Sequence, residues 1–489
     1  MRHTLRFLLG HDLVELGEVD PTQTVLEWLR RDAHRWGTKE GCAEGDCGAC
    51  SVVVVRPEGG RLRADAVNSC IQFVGTLDGA QLLTVEDLKG PDGRLHRVQQ
   101  AMVDHHGSQC GFCTPGFVMA LYAMDRRGEA VTYETAVDEI AGNLCRCTGY
   151  GPIVEAALAM RGTEGAGEHL SGREAEVMAR LEALDDGQDL MVGKDGRTFH
   201  APASLDALAM LYAGNPGAAL VAGSTDVGLW VTKQDRPLDP VIWLGRVKEL
   251  RRIEERTDAV VIGAGVSYTD AMAKLGEMYP EGGELIRRLA SVQIRNTGTI
   301  GGNVANGSPI GDSPPFLIAA DARVVLRYRG ERREVAVEDF FISYGEQDRR
   351  PGELVEAIVL PRPKPTEHLA CYKISKRFDQ DISAVCGGFR VRVEKGVVKD
   401  ARLAFGGMAG TPKRAKAAEA ALVGRPWSED AARDAAAAME GDFRPLTDQR
   451  ASAAYRMKVA QNLLVKFWYE THGEGGQIRL VGPRRVVHG

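Results

Sequence analysis

Four cysteines near the N-terminus have the spacing of a metal-cluster site. They are Cys42-x4-Cys47-x2-Cys50, followed after nineteen residues by Cys70. This spacing is typical of plant-type [2Fe-2S] ligands. The loop from Gly41 to Cys50 alternates cysteines with glycines, which permit unusual backbone angles and leave amides free to donate to sulfur. The pattern predicts one-electron chemistry at this loop.

A second group of four cysteines follows, with Cys110-x2-Cys113 and then Cys145-x-Cys147. Each pair precedes a predicted helix that begins near a proline, one from Thr114 through Met124 and one from Gly151 through Met160. Helix N-termini carry partial positive charge and stabilise thiolates. We expect a second cluster between these helices. Two zinc sites are the alternative, because zinc also accepts four thiolates.

These ligand groups must be positioned by a small sheet and by helices. A strand is predicted over 51–55, directly after the first loop, and the alternating segment Leu5 to Leu9 predicts a partner strand. The remaining cysteines, Cys371 and Cys386, are interpreted as buried small apolar side chains. The segment 161–188 is rich in glycine and glutamate and is interpreted as a linker that contains a helix over 174–184.

Composition narrows the class of protein. The chain has 489 residues, 44% hydrophobic and 26% charged, which is ordinary for several globular domains. A net charge of -6 gives no reason to expect nucleic acid. No apolar run approaches the ~20 residues of a membrane span, and no secretory signal is recognised. Reduced thiols for cluster assembly predict a cytoplasmic location.

Two glycine-rich segments beyond the linker could cradle a phosphate with backbone amides. The first consists of Leu220, Val221, Ala222, Gly223, Ser224, Thr225, Asp226 and Val227. The second runs from Gly298 through Gly301, Gly302 and Asn303 to Ser308 and Asp312. Tight surface turns are the alternative for each segment alone. Their occurrence together, after two cysteine groups, favours a nucleotide cofactor.

A third glycine-rich segment resembles the start of a dinucleotide fingerprint but lacks its last glycine. Val260 to Gly265 contains Gly263 and Gly265, and the third position is Tyr268. We predict an ordinary strand and turn here.

Longer motifs make the chain resemble the molybdenum hydroxylases, and among them the iron-sulfur/flavin subunits of bacterial xanthine dehydrogenases. The resemblance covers Leu5 to about Lys466. The motifs that carry it are the Gly41 to Cys50 loop, Gln109 to Gly116, Gly142 to Tyr150, the two glycine-rich segments, Tyr372 to Val385 and Ala404 to Ala409.

The resemblance implies an α+β multidomain fold. The expected parts are a ferredoxin-like β-grasp [2Fe-2S] domain (1–85), an all-α helical-bundle [2Fe-2S] domain (86–161), a linker (162–189), an α/β FAD-binding domain of the PCMH type (190–365), an α+β C-terminal domain of the CO-dehydrogenase flavoprotein type (366–475) and a tail (476–489).

The resemblance also implies a function. Electrons from purine hydroxylation at molybdopterin on a separate large subunit would cross both [2Fe-2S] clusters to FAD and then to NAD+. The family suggests a heterotetramer of two chain types. No catalytic residue is expected on this chain, because its length leaves no room for a molybdenum domain. A different molybdenum hydroxylase, a stand-alone NADH diaphorase and a pure electron-carrier module are the alternatives.

Residue roles carried over from the family cover both ligand sets and the flavin. The eight cysteines would bind iron, and Gln109 would contact the pterin. Lys373 would join the glycine-rich segments at FAD, with a solvated basic face as the alternative for Lys373, Lys376 and Arg377. Leu289 occupies the position where many relatives have an aromatic residue facing the isoalloxazine.

Overall fold

The computed structural model of the chain describes residues 1–165 and 168–472, which form two compact units. The first unit contains Met1–Lys248 and Ser291–Gly298, and the second contains Glu249–Ala290 and the described residues from Thr299 onwards. The predicted FAD-binding domain therefore contributes residues to both units. The predicted tail 476–489 lies outside the described residues, as do 473–475 and residues 166 and 167 of the predicted linker.

The first unit begins with a five-stranded mixed sheet. Its strands in spatial order are Asp12–Leu16, Leu5–Leu9, Gln81–Leu83, Ser51–Glu58 and Arg61–Asn68. The helix Val25–Arg31 starts at a capping box formed by Thr24 and Glu27, and its Trp28 ring meets Phe7 edge-on at 5.2 Å. Both predicted strands are confirmed in one sheet, and the first cysteine loop leads directly into the strand at Ser51.

Four helices follow the sheet: Arg97–Asp104, Thr114–Arg127, Tyr133–Ile140 and Gly151–Ala159. The predicted helices at Thr114 and Gly151 are confirmed, the first running three residues beyond Met124. The Thr114–Arg127 helix is buried from Gly116 to Asp125 and ends at Gly128, whose φ of 76° suits a glycine. Phe117 and Tyr122 of this helix share one core with Val53 of the sheet.

The described part of the predicted linker contains two helices, Glu168–Ser171 and Glu174–Leu184. The helix predicted over 174–184 is confirmed. Its Val177 and Leu181 pack with Leu8 of the N-terminal sheet. This helix of the predicted linker is therefore packed on the N-terminal sheet.

The first unit also contains a four-stranded sheet, with the strands Leu190–Lys194, Arg197–Ala201, Val241–Trp243 and Ala219–Val221 in spatial order. The accompanying helices are Leu205–Gly214, Val227–Thr232 and, from later in the chain, Val292–Thr297. The last strand places the Gly223 turn immediately before the helix Val227–Thr232.

The second unit is built first on a five-stranded antiparallel sheet. The spatial order is Ile253–Glu255, Ala259–Gly263, Leu354–Pro361, Arg323–Tyr328 and Glu331–Ala336. Its helices are Tyr268–Met278, Pro280–Arg287, Ile300–Asn306, Ser313–Ala319 and Val337–Phe340, and a small hairpin pairs Phe341–Ser343 with Glu346–Gln347.

The segment Val260–Gly265 is a strand and turn, as predicted. A Cβ atom on Gly263 would lie 2.2 Å from the carbonyl oxygen of Leu250, so close backbone packing explains this glycine.

The C-terminal part of the second unit is a second antiparallel sheet with helices packed on it. The strands in spatial order are Glu367–Ile374, Val385–Glu394, Val397–Gly406 and Lys413–Arg414, and the helices are Lys416–Leu422, Glu429–Asp442 and Ala453–His472. Cys386 is buried as predicted, whereas Cys371 is only half-buried, so its predicted burial is wrong. The mixed helix and sheet content agrees with the predicted α+β multidomain class.

None of the described helices combines the length and apolarity that crossing a bilayer requires.

Candidate functional site

The first four cysteines lie close to one another, beside the start of the strand Ser51–Glu58 and the end of the strand Arg61–Asn68. Cys50 and Cys70 are buried, with their Sγ atoms 3.3 Å apart, and Cys42 and Cys47 are half-buried. The backbone amides of Glu44 and Cys47 each donate to Cys42 Sγ at 3.4 Å. Sulfurs that already receive amide hydrogen bonds suit an anionic iron-sulfur cluster.

The backbone of this loop takes conformations that favour glycine. Gly45 and Gly48 have φ values of 83° and 66°, and Asn68 Nδ2 donates to the Gly45 carbonyl at 2.9 Å. Ala43 also has a positive φ, of 53°. The glycines therefore serve the loop as their positions in the sequence predict.

The thiols of this group strongly affect one another. Hydrogen bonds from the side chains of Cys47 and Cys70 hold the pKa of Cys42 far below its usual value. The hydrogen bond to Cys42, followed by burial, raises the pKa of Cys47, and hydrogen bonds to Cys42 and Cys50 with burial raise that of Cys70. Cys42 is thus favoured as a thiolate and Cys47 and Cys70 as neutral thiols, and iron bound there would displace the thiol protons.

The second group forms two sulfur pairs, Cys113 with Cys145 and Cys110 with Cys147, in the loops that precede two helices. Cys113 caps the helix Thr114–Arg127, and burial together with a hydrogen bond to Cys145 raises its pKa to about 12. A hydrogen bond to Cys110 raises the pKa of Cys147. Burial raises the pKa of Cys145, but hydrogen bonds from the Thr148 hydroxyl and amide, at 3.2 and 3.4 Å, outweigh it and lower the pKa.

The sulfurs of the first group form one connected set, because Cys42 contacts Cys47 and Cys70, and Cys70 also contacts Cys50. Those of the second group form two pairs. Within 1–165 and 168–472, no three His, Cys, Asp or Glu side chains are arranged as ligands of one ion. A [2Fe-2S] cluster takes two thiolates on each iron, and each group brings the four sulfurs that this requires.

One backbone hydrogen bond joins the two ligand loops. Leu144 N, next to Cys145, donates to the Cys47 carbonyl at 2.9 Å, and Asn143 Nδ2 donates to the Gly48 carbonyl at the same distance. A Cβ atom on Gly48 would lie 2.3 Å from the Gly142 carbonyl oxygen. Sequence reasoning missed Asn143 as a packing residue, although it stands in the Gly142 to Tyr150 motif.

The first glycine-rich segment forms a turn with an unsatisfied hydroxyl. Gly223 is so tightly packed that a Cβ atom would lie 1.8 Å from the Thr297 carbonyl oxygen, and Gln72 Nε2 donates to the Gly223 carbonyl at 2.8 Å. Ser224 has φ of 60° and is buried, and its Oγ has no hydrogen-bond partner among the described residues. A left-handed turn with a free buried hydroxyl fits an anionic group such as a phosphate.

The second segment brings several predicted flavin residues together in the second unit. Lys373 Nζ donates to Asp312 Oδ2 at 2.5 Å, and Ser383 Oγ donates to Asp312 Oδ1 at 2.5 Å. Ser313 Oγ donates to Asn303 Oδ1 at 2.6 Å. Lys373 is only 7% exposed, so the basic-face alternative does not describe it, whereas Lys376 and Arg377 are exposed.

Three further predicted positions lie near these residues in the chain. A Cβ atom on Gly301 would lie 2.3 Å from Ala264 Cβ, which explains that glycine by packing. Gly302 N donates to Thr299 Oγ1 at 3.0 Å, and Ser308 Oγ accepts from Ile310 N at 3.4 Å. The segment Leu220 to Val227 belongs to the first unit, and the residues from Gly301 to Lys373 belong to the second.

The remaining predicted positions differ in exposure. Gln109 and Cys110 are exposed, and Phe112 between the two cysteines is 48% exposed. Leu289 is buried at 9%.

Comparison with known proteins assigns four ranges of the chain to domain families. Residues 14–74 match the 2Fe-2S iron-sulfur cluster binding domain, and 84–158 match the [2Fe-2S] binding domain. Residues 194–363 match the FAD binding domain in molybdopterin dehydrogenase, and 370–471 match the CO dehydrogenase flavoprotein C-terminal domain. The predicted fold class is therefore confirmed.

Proteins similar over most of the chain point to the same family as the domain matches. The chain is 32% identical over 505 residues to a xanthine dehydrogenase of Drosophila subobscura, covering 91% of this chain and 38% of the fly protein. It is 30% identical to aldehyde oxidase 1 of Rattus norvegicus, covering 87% and 36% of the two chains. A solved carbon monoxide dehydrogenase from Hydrogenophaga pseudoflava, which lacks the Mo-pyranopterin moiety of the molybdenum cofactor, matches with TM-score 0.52 and 30% identity, covering 55% of this chain and 94% of that one.

The chain belongs to the molybdenum hydroxylase family, as a part that carries two [2Fe-2S] domains and an FAD-binding domain. It spans less than two-fifths of the length of the xanthine dehydrogenase and aldehyde oxidase that it matches.

Proposed function

We propose that this chain is the electron-transfer subunit of a xanthine dehydrogenase. In this proposal a partner subunit holds molybdopterin and oxidises hypoxanthine and xanthine to urate. The electrons then pass through the helical-domain cluster and the ferredoxin-like cluster to FAD, and finally to NAD+. A flavin is required between one-electron clusters and a nicotinamide that accepts two electrons as hydride.

The observation that carries the proposal is the joined pair of ligand loops. The Leu144 amide donates to the Cys47 carbonyl. Leu144 is the neighbour of Cys145, a proposed ligand of the second cluster, and Cys47 is a proposed ligand of the first. Two clusters held this closely within one unit suit successive electron transfer. The similarity to xanthine dehydrogenases over 91% of the chain supports purine as the substrate class.

The residue assignments belong to the same proposal. The ligands of the first cluster are Cys42, Cys47, Cys50 and Cys70, and those of the second are Cys110, Cys113, Cys145 and Cys147. The buried Ser224 hydroxyl supports phosphate binding by Leu220 to Val227, and the Asp312–Lys373 pair supports a polar flavin contact in the second unit. The domain boundaries proposed are those at 85, 161, 189, 365 and 475.

Partner, acceptor and location are parts of the proposal as well. We propose a heterotetramer of two chain types in the cytoplasm, without nucleic acid or membrane partners. Gln109 is exposed beside Cys110, which supports it as a contact for the pterin of the partner subunit.

A second molybdenum hydroxylase activity is the competing candidate. The chain is 30% identical to aldehyde oxidase 1 of Rattus norvegicus over 87% of its length, which supports an aldehyde as the competing substrate. An N-heterocycle is the other substrate class of this alternative.

Co-expression with the molybdopterin subunit tests the proposal. The purified complex should contain about four iron atoms and one FAD per copy of this chain, since each four-cysteine set suits one [2Fe-2S] cluster. It should reduce NAD+ with xanthine faster than with benzaldehyde or quinoline. If the complex preferred an aldehyde, the second molybdenum hydroxylase activity would be favoured. If the chain oxidised NADH with a dye, and adding the partner subunit brought no oxidation of any of these substrates, a stand-alone diaphorase would be favoured.

A further inference from the structure

The helix Val227–Thr232 is attached to both loops that hold the proposed ligands of the first cluster. At its C-terminal end, Thr232 Oγ1 donates to the Ala43 carbonyl at 2.7 Å and Lys233 Nζ donates to the Cys42 carbonyl at 2.5 Å. Near its start, a Cβ atom on Gly228 would lie 2.6 Å from the carbonyl oxygen of Ile71, the neighbour of Cys70. This helix therefore braces the loop around Cys42 and the loop around Cys70.

Lys233 also brings a formal charge to the loop. Its Nζ lies 3.3 Å from Glu44 Oε2, and the two side chains are 41% and 39% exposed. The Glu44 amide donates to Cys42 Sγ at 3.4 Å. One cation and one carboxylate are thus both connected to the same proposed ligand.

Charges at this place act on the redox balance of a cluster. Reduction adds one electron, and therefore one negative charge, to a group that four thiolates already make anionic. Net charge and hydrogen bonding around the sulfurs set the reduction potential of such clusters. A nearby ammonium favours the reduced form, and a nearby carboxylate opposes it.

We propose that Lys233 is a positioning residue that holds the Cys42 carbonyl and raises the reduction potential of the ferredoxin-like cluster, with Glu44 partly offsetting its charge. This inference rests on the proposed assignment of Cys42, Cys47, Cys50 and Cys70 as ligands. The same helix follows the Ser224 turn, so the segment proposed to bind the flavin phosphate and the residue proposed to tune the first cluster lie at opposite ends of one helix.

An anaerobic redox titration of the full chain with dithionite, followed by electron paramagnetic resonance (EPR), tests the proposal. Lys233→Met removes the charge and keeps most of the side-chain length. At a fixed solution potential, the ratio of reduced to oxidised first cluster should fall about threefold to tenfold, the range for a half-exposed charge. Glu44→Gln should shift the ratio in the opposite direction, and Lys233→Arg should stay near the wild type.

Two controls make the titration specific. Lys248→Met removes an exposed lysine of the same unit, whose Nζ pairs with Asp185 Oδ2 at 2.7 Å, and should leave both clusters unchanged. The signal of the second cluster serves as an internal reference in every variant. If Lys233→Met lost the first cluster altogether, Glu44→Gln would provide the test. A rise in the ratio of reduced to oxidised first cluster would support the proposal, and no rise would overturn it.

Failure of this inference and failure of the ligand assignment give different results. Zinc in place of iron in the wild-type chain would overturn the assignment. Two intact clusters, with the same first-cluster ratio in Lys233→Met, Lys248→Met and wild type, would overturn only the role of Lys233.

Discussion

Asp312 and Lys373 form a deeply buried ion pair in the proposed flavin site. Their side chains are 7% and 2% exposed, and Ser383 completes the hydrogen bonding of the carboxylate. Burial of both charges is costly unless each has partners, and removing one partner of such a pair typically costs about 3–5 kcal/mol. A single substitution therefore tests two effects at once, the loss of a flavin contact and the stranding of a charge.

Asp312→Ala should weaken FAD binding by about tenfold or more, the loss expected for one hydrogen bond to a charged group. The double variant Asp312→Ala with Lys373→Met leaves no stranded charge and should show the same weak binding. FAD per chain and the fluorescence of released flavin measure the result. Full FAD retention in the double variant would show that the pair serves stability alone.

Gly265→Ala is the matched control for the glycine-rich segment that we interpret as a strand and turn. Its Cβ atom would lie 3.2 Å from Leu250, a contact that small movements relieve, whereas Gly263→Ala would meet the Leu250 carbonyl oxygen at 2.2 Å. Flavin binding should be unchanged in Gly265→Ala.

Cys147→Ser should remove one of two reduced-state EPR signals and leave the other. The reason is that Cys147 pairs with Cys110 in the second thiol group, whereas the first group has its own four sulfurs. Iron per chain should fall from about four to about two, because each set holds one [2Fe-2S] cluster. Loss of both signals would contradict two separate sites.

At the scale of elements, the helix Arg97–Asp104 depends on a histidine cap. His96 Nδ1 accepts from Val98 N at 3.2 Å, and Gln99 Oε1 accepts from His96 N at 3.0 Å. The cap needs a neutral ring, since a protonated imidazole has no acceptor nitrogen. Burial lowers the pKa of His96 from 6.5 to about 4, with charges of lesser effect.

The sign of the resulting pH dependence follows from proton binding. Between about pH 4 and 6.5 the unfolded chain binds more protons at His96 than the folded chain does, so stability is lost as pH falls through this window, by about 3 kcal/mol in all. His96→Asn keeps a capping side chain and removes the titration. The drop in thermal midpoint from pH 7 to pH 5 should be smaller in this variant; an equal drop would contradict the assignment.

Sequence patterns predicted helices and strands best where neighbouring residues in the chain determine where the element begins. The helices at Thr114 and Gly151 begin near prolines, and both were predictable. The half-burial of Cys371 and the packing role of Asn143 depend on contacts between distant segments, which local patterns do not contain. The same holds for Lys233, whose partner Cys42 lies 191 residues away in the chain.

At the scale of the whole molecule, the exposed face around Gln109, Cys110 and Phe112 is the proposed docking surface for the molybdopterin subunit. Phe112 is 48% exposed although it stands between two proposed ligands. Gly111 has φ of 84°, so any side chain there would strain the backbone and would not test docking cleanly.

Gln109→Ala and Phe112→Ala should lower xanthine-dependent turnover of the complex severalfold while leaving NADH-to-dye activity nearly intact. The physical reason is that electrons tunnel efficiently only over short gaps, and these side chains are exposed beside the second thiol group. Tyr133→Ala, which alters a 62% exposed side chain of the same helical part, is the control and should change neither activity. Equal loss of both activities would assign this face to folding of the cluster domain.

The most direct test of the electron path is anaerobic reduction of this chain without NAD+, with the cluster signals followed by EPR and flavin by absorbance. Xanthine should reduce both clusters and FAD when the molybdopterin subunit is present and none of them when this chain is alone, whereas NADH should reduce them in both cases. Reduction by xanthine of the isolated chain, or no reduction of the clusters in the complete complex, would contradict the proposed role.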